Sequence, residues 1–431
     1  MQFMNYRETN GICIGPEVSR IFAEMIFSEI DVRVIEGLAR NGMKWKTDFE
    51  FRRYVDDFYV FAQDEDSANQ VMGAVQQELQ KFNLHLNFEK VKTLHRPFST
   101  KISQVVVDTN VRLNAIFSKF IDYQVLSTGS MKSRLAYPKK IMRSDSLLRS
   151  AIHEIKAVCN MHGLEYGVVS DYVISALTNR VSELADGFTQ GILLPNVTED
   201  DYVSAHMLLL ELVYFFYTVN PTVRSSLNVA RSVVTSAELF SNEFQPRLSF
   251  LAESVVRWTL DLVRSMISGS KHDKLAAVPV EILNVLIPMR EVASNEPLID
   301  ELVGSMCERV ESFEYFQIIS FLYLVGGKPQ HRNLISKLFT QAKAVVAASH
   351  GPRIDAQAAH LCLDLLACPH LPLEKRASWF NVLRRRSGLP GLSRGASQAA
   401  VASLRDFPWF VSWEGVSLSS VLRKKELSPV Y

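Results

Sequence analysis

The sequence predicts an α+β segment over residues 1–100, a connecting region over 101–145 and a large all-α domain over 146–431. Two observations carry this expectation. Between Phe49 and Phe61, aromatic and β-branched residues crowd around Val55-Asp56-Asp57, and the helical spacing on either side gives way to that of a hairpin. From Ser146 to Trp413, apolar positions keep helical spacing in segment after segment, often with Pro or Gly between them. The chain of 431 residues has room for two or three domains, and 47% hydrophobic against 22% charged residues suits a chain that buries a core.

Element by element, Pro16 suits the first turn of a helix, and Val18, Ile21, Phe22, Met25, Ile26 and Ile30 follow at helical spacing to about Asp31. Phe49 to Phe61 reads as a hairpin with Asp56 and Asp57 at its turn. Asp64 to Phe82 returns to helical spacing, and Leu84 to Phe98 reads as extended or turn-rich. Residues 101–145 are rich in Ser, Lys and Arg, which marks a domain boundary. Beyond them helices are expected at Val203–Tyr217, Thr222–Phe240, Phe250–Ile267, Val280–Val292, Leu298–Val310, Phe313–Leu324, Leu334–Ala348, Asp355–Leu366 and Leu373–Arg385. Their rhythm fits stacked helical pairs, although no clean repeat period is visible.

Several classes are disfavoured. Five scattered cysteines do not make a disulfide framework and point to a reducing, cytoplasmic setting. The first residues lack the basic start and apolar core of a signal peptide. No run reaches the roughly 18 apolar residues of a membrane span, so Met207–Tyr217, which carries Glu211, is expected to be a buried helix and no membrane partner is expected. A net charge of +1 leaves nucleic-acid contact to local clusters, of which Arg52-Arg53, Lys90–Arg96 and Lys132–Arg143 lie near the chemistry proposed below.

Tyr54-Val55-Asp56-Asp57 is the sharpest feature. Two adjacent carboxylates at a tight turn between apolar strands present hard oxygen ligands to Mg²⁺, whereas Asp-Asp at a turn is by itself ordinary turn chemistry. Its surroundings decide between them. Upstream runs Asn10-Gly11-Ile12-Cys13-Ile14-Gly15-Pro16-Glu17-Val18-Ser19-Arg20, and downstream Leu86-Asn87-Phe88-Glu89-Lys90, with Arg96-Pro97-Phe98 beyond. In this order the segments resemble motifs B, C and D of reverse transcriptases and the primer-contacting turn that follows them. The fold implied is a partial polymerase palm followed by a helical domain. The Ile-Gly-Pro-Glu-Val-Ser-Arg form of motif B and the long helical extension resemble the bacterial abortive-infection and defence-associated groups, which carry HEAT-like helical domains and act against phage. The resemblance in motifs covers about a quarter of the chain, and residues 101–145 would be thumb-like.

The resemblance implies roles residue by residue. Asp56 and Asp57 would be the catalytic metal ligands for Mg²⁺, and Lys90 would neutralise the pyrophosphate or donate a proton to it. Asn10, Gly11, Gly15, Ser19 and Tyr54 would line the template, nucleotide and primer end, so DNA or RNA and deoxynucleotides are the expected partners. Val91 replaces the usual Thr after Lys90, and Lys92-Thr93 follows, which keeps Lys92 as an alternative to Lys90. The resemblance also implies a further carboxylate, from motif A. None of the nine residues before Asn10 is Asp, so the expectation is a fragment, the product of a late start or broken frame, or one half of a split enzyme paired with an N-terminal polymerase half or another copy. A permuted palm would use Asp122 instead, though a surface role for that residue is simpler.

Weaker constellations remain. His360, Cys362, Cys368 and His370 are close in sequence but have the wrong spacing for the usual zinc fingers. Residues 407–413 suit a terminal aromatic plug better than base stacking, and no tyrosine is singled out as a priming hydroxyl. A group II intron or retron enzyme is disfavoured for want of a zinc-ribbon or nuclease signature. The remaining alternative to a polymerase is a non-catalytic helical scaffold or pseudo-polymerase that binds a protein or nucleic acid.

Overall fold

The computed structural model describes residues 17–95, 100–128, 131–165, 167–190, 196–268, 278–292, 303–304, 306, 313–404, 409–415 and 417–427. The chain divides into two compact units, residues 1–98 and 99–431.

The first unit is built from α1 (Glu17–Arg40), β1 (Phe49–Tyr54), β2 (Asp57–Ala62) and α2 (Glu65–Gln80). Strands β1 and β2 pair antiparallel from Phe49↔Ala62 to Tyr54↔Asp57. Strand alternation turns Phe49, Phe51 and Arg53 inward and leaves Arg52 and Tyr54 exposed. Helix α2 starts where Asp64 accepts a hydrogen bond from the Ser67 amide at 2.7 Å, with Glu65 and Asp66 in its first turn. Its Val71, Val75 and Leu79 form one stripe, and Ile30, Val34 and Leu38 of α1 form another; both close on Phe49 and Phe51. Trp45 meets both of these phenylalanines edge-on.

Helix α1 differs from its sequence reading. It runs on to Arg40, and the buried stripe lies in its second half, while Val18, Ile21, Phe22 and Met25 are exposed. Apolar spacing locates a face of a helix; it does not tell which turns of that face are covered.

The second unit opens with α3 (Lys101–Phe117) and a hairpin of β3 (Ile121–Thr128) and β4 (Met131–Pro138). The stretch read as a connecting zone therefore has regular structure of its own. Helix α3 is started by a reciprocal capping box between Thr100 and Ser103. Its buried positions Val105, Thr109, Leu113 and Ile116 make a stripe about one residue wide, blurred in the sequence by Ile102, Val107 and Val111, which are apolar yet exposed.

The remaining helices are α4 (Ser144–Met161), α5 (Gly167–Thr189), α6 (Glu199–Val219), α7 (Val223–Glu243), α8 (Leu248–Ser268), α9 (Val280–Leu286), α10 (Met289–Val292), α11 (Tyr315–Val325), α12 (Arg332–Ala348), α13 (Ala356–Ala367), α14 (Leu373–Arg386), α15 (Arg394–Ala402) and α16 (Leu418–Leu427). Capping boxes at Thr198/Asp201 and Thr222/Ser225 start α6 and α7. The single helix expected over Val280–Val292 is two, because Pro288 has no N–H to continue the ladder. Most of the expected Leu298–Val310 helix lies outside the described residues. Helices mostly pack on near neighbours in the chain, α5 on α6 and α7, and α6 and α7 on α8, while α16 returns to α7. One apolar core runs from Val105 to Trp413. Helix α6 is long and apolar enough to cross a membrane, but most of it is buried against the helices around it.

Candidate active site

The Tyr54↔Asp57 register leaves Val55 and Asp56 as a two-residue hairpin loop. Val55 has φ +57° whereas Asp56 stays on the negative side, the pattern of a turn that favours Gly first. A β-branched residue at positive φ is strained, by about 1–3 kcal/mol. Tyr54 is 60% exposed. Asp56 and Asp57 are also exposed, so the two carboxylates project into solvent.

A buried guanidinium underlies this turn. The Arg53 side chain is 5% exposed. Its Nη1 and Nη2 donate to the two carboxylate oxygens of Glu24 at 2.9 and 2.8 Å, and its Nε donates to Asp31 Oδ2 at 3.1 Å. Nη1 also donates to the Val55 carbonyl at 2.8 Å, and the guanidinium lies 4.8 Å from the Phe27 ring centroid. The hydrogen bond to Glu24, the largest cause, raises the Arg53 pKa above its ordinary value, and the same contact lowers that of Glu24. Of the basic pair Arg52-Arg53 expected to face nucleic acid, Arg53 is instead an internal tie, and Arg52 is exposed and paired with Glu50. The only sequence traces of it are a charged residue at an inward strand position and the seven-residue spacing of Glu24 and Asp31 on one face of α1, neither of which joins the two.

The other predicted residues are placed as follows. Ser19 is buried in the first turns of α1, and Asn10, Gly11 and Gly15 lie outside the described residues. Lys90 ends a 3₁₀ turn, Phe88–Lys90, in which the Asn87 side chain accepts from the Glu89 amide at 3.1 Å. Lys90 and Lys92 are both exposed. The segment leading to them is anchored by α2, where Gln76 accepts from the Leu86 amide at 2.8 Å, a contact that nothing in the local sequence announces. Thus the structure gathers Tyr54, Asp56 and Asp57 at one turn and sets the two lysines on the segment after α2. Among the described residues no group of three or more Asp, Glu, His or Cys side chains forms a metal cluster.

The lesser constellations resolve in the second unit. Asp122 accepts from the Tyr123 amide at 2.9 Å and pairs with Lys139 at 3.2 Å. Cys362 and Cys368 are buried, and desolvation pushes both thiols up to about 12. The His360 ring stacks on Phe410 at 3.6 Å.

No curated protein and no solved structure matches the chain. Residues 7–130 match the family model for reverse transcriptase (RNA-dependent DNA polymerase), a stretch that contains the Asp56–Asp57 turn and runs on into α3 and β3. That stretch is therefore a reverse transcriptase domain, of the family of RNA-directed DNA polymerases that bind nucleic acid and nucleotides.

Proposed function

We propose that the Asp56–Asp57 turn is the metal-binding carboxylate pair of a phage-defence reverse transcriptase, which adds deoxynucleotides by a two-metal mechanism. The observation that carries this reading is the pair of adjacent exposed carboxylates at a two-residue hairpin turn, inside the stretch that matches the family. Their hard oxygens suit Mg²⁺, which when bound neutralises charge at the primer hydroxyl and the leaving pyrophosphate. Asp56 and Asp57 would hold it, together with a third carboxylate from outside the described residues. Tyr54 orients the primer end, and Lys90, or Lys92 in its place, neutralises or protonates the pyrophosphate. Asn10, Gly11, Gly15 and Ser19 form the template and nucleotide side.

The defence assignment rests on the form of motif B and on the helical domain, which we read as HEAT-like because its helices pack mainly on near neighbours in the chain. Free, buried Cys159, Cys362 and Cys368 suit a reducing, cytoplasmic compartment.

The test is incorporation of deoxynucleotides with Mg²⁺ on a primed RNA template. It is run with the chain alone and with the chain extended or supplemented by a segment bearing an Asp on a preceding strand, each beside Asp56→Ala and Asp57→Ala; the same variants are scored for phage plaques. The reading expects incorporation once the third carboxylate is supplied. It also expects a loss of at least a hundredfold in either Ala variant, with loss of plaque suppression. No incorporation in any arm would favour the non-catalytic scaffold.

A further inference from the structure

We propose that Arg53 is a positioning residue of the carboxylate turn: it holds Val55 in the left-handed conformation and so sets where Asp56 and Asp57 project, a role that rests on reading those two as metal ligands. The geometry singles out this residue. A two-residue loop that begins with Val favours another conformation at that position, because a β-branched side chain clashes with the backbone at positive φ. The strained conformation therefore needs an outside hold. Arg53 supplies one through its hydrogen bond to the Val55 carbonyl at 2.8 Å. That bond is itself fixed, since Glu24 and Asp31 on α1 grip the rest of the guanidinium.

The hold runs from the helix through one planar group to the peptide immediately before Asp56. Only Arg can make it, because a lysine ammonium offers three donors from one atom and cannot bridge two carboxylates and a carbonyl in a plane. Charge is not what the contact supplies to the site. Glu24 and Asp31 already outweigh the single guanidinium, so its positive charge is matched by them rather than by Asp56 and Asp57.

The test is a double-mutant cycle on the full chain between Arg53→Lys and Val55→Gly, since Gly takes positive φ without strain. The first readout is amide exchange at the turn-closing pair Tyr54 and Asp57. The second is luminescence of Tb³⁺, an oxygen-seeking stand-in for the metal, excited through Tyr54, with Asp56→Asn/Asp57→Asn as the control for its site. Arg53→Lys is expected to speed exchange at the pair about tenfold and to weaken Tb³⁺ about tenfold. Adding Val55→Gly should restore both to within about threefold of Val55→Gly alone. Glu24→Gln, a milder change at a half-exposed partner, should move both readouts the same way by less, and covers the case in which Arg53→Lys does not fold.

Unchanged exchange in both variants overturns the proposal. So does loosening of the whole α1–hairpin–α2 unit that Gly does not rescue, because Arg53 would then be an ordinary anchor. Asp-dependent Tb³⁺ binding that ignores Arg53 overturns its role in the site as well. If the Tb³⁺ signal is the same in the Asp56→Asn/Asp57→Asn control, the metal reading fails, and the exchange cycle alone decides whether Arg53 holds the turn.

Discussion

His206, in the middle of α6, is completely buried, and its Nδ1–H donates to the Tyr202 carbonyl at 2.9 Å. Burial pushes its pKa down from 6.5 to about 4, outweighing that hydrogen bond. Because the folded value is the lower one, the unfolded chain binds the extra proton between pH 6.5 and 4. Stability is full above about 6.5 and falls as the pH drops towards 4. The helical unit should therefore lose about 2 kcal/mol between pH 7 and 5 through this residue. Urea midpoints at the two pH values should differ less in His206→Phe, whose ring keeps the edge-on contact with Phe240. An equal loss in the variant would assign the acid sensitivity to other groups. At this scale the sequence was informative where chemistry is local. Asp56 and Asp57 stand side by side in the chain, so their pairing needed no fold. The partners of Arg53 lie 29 and 22 residues upstream, and only the packing of α1 against the hairpin brings them together.

Among elements, the β3–β4 hairpin and α5 make a dependent pair. Arg180, Glu183 and Gly187 lie three and four residues apart, on one stripe of α5. Tyr123 donates to Glu183 at 2.8 Å, Arg180 donates to the same carboxylate at 2.6 Å, and the Arg134 guanidinium lies 3.7 Å from the Tyr123 ring centroid. Burial, followed by the Glu183 contact, pushes the Tyr123 hydroxyl up to about 12, so it remains a donor at any ordinary pH. At Gly187 the backbone of β4 comes so close that a Cβ would stand 2.0 Å from the Ala136 carbonyl oxygen. Gly187→Ala should therefore unseat the hairpin and cost about 2–4 kcal/mol, read as a lowered denaturation midpoint and faster amide exchange over residues 121–138. A midpoint within a few tenths of a kcal/mol of the parent's would mean that the hairpin does not depend on this contact. None of this was legible beforehand. The hairpin's alternation is blurred because Ile121, Leu135 and Ala136 are all buried although they do not share one face. By contrast, α6, α7, α8 and α12 to α14 fall close to their expected positions, and Thr198, Thr222, Asp355 and Pro372 mark the starts of α6, α7, α13 and α14.

For the whole molecule, the family match and the division into units do not share a boundary. The match continues through residue 130, while α3, β3 and the turn between them contribute Val105, Leu113, Phe120 and Ile121 to the core of the helical unit. The reverse transcriptase domain is thus continuous in sequence with the helical core rather than ending where the first unit ends. The far end of the chain is tied in as well. Buried Asp364 accepts from the Tyr315 hydroxyl at 2.7 Å and from the Phe410 and Val411 amides at 3.0 Å each, and the Trp413 indole donates to the Asp364 carbonyl at 3.1 Å. Trp413 is in this way part of the helical core and Val411 packs against it, while Trp409 and Phe410 are exposed. The general design, a small α+β unit before a helical one, was visible from periodicity alone, but the covering of α1 and the anchoring of Phe410, Val411 and Trp413 depend on contacts far apart in sequence.

Whether Asp56 and Asp57 hold the cation proposed for the reverse transcriptase domain is read most directly by exchanging Mg²⁺ for Fe²⁺ and mapping the hydroxyl-radical cuts in the backbone. Cuts centred on residues 54–58 that vanish in Asp56→Asn/Asp57→Asn are the predicted result. Cuts elsewhere, or cuts at the turn that persist without the two carboxylates, would contradict it.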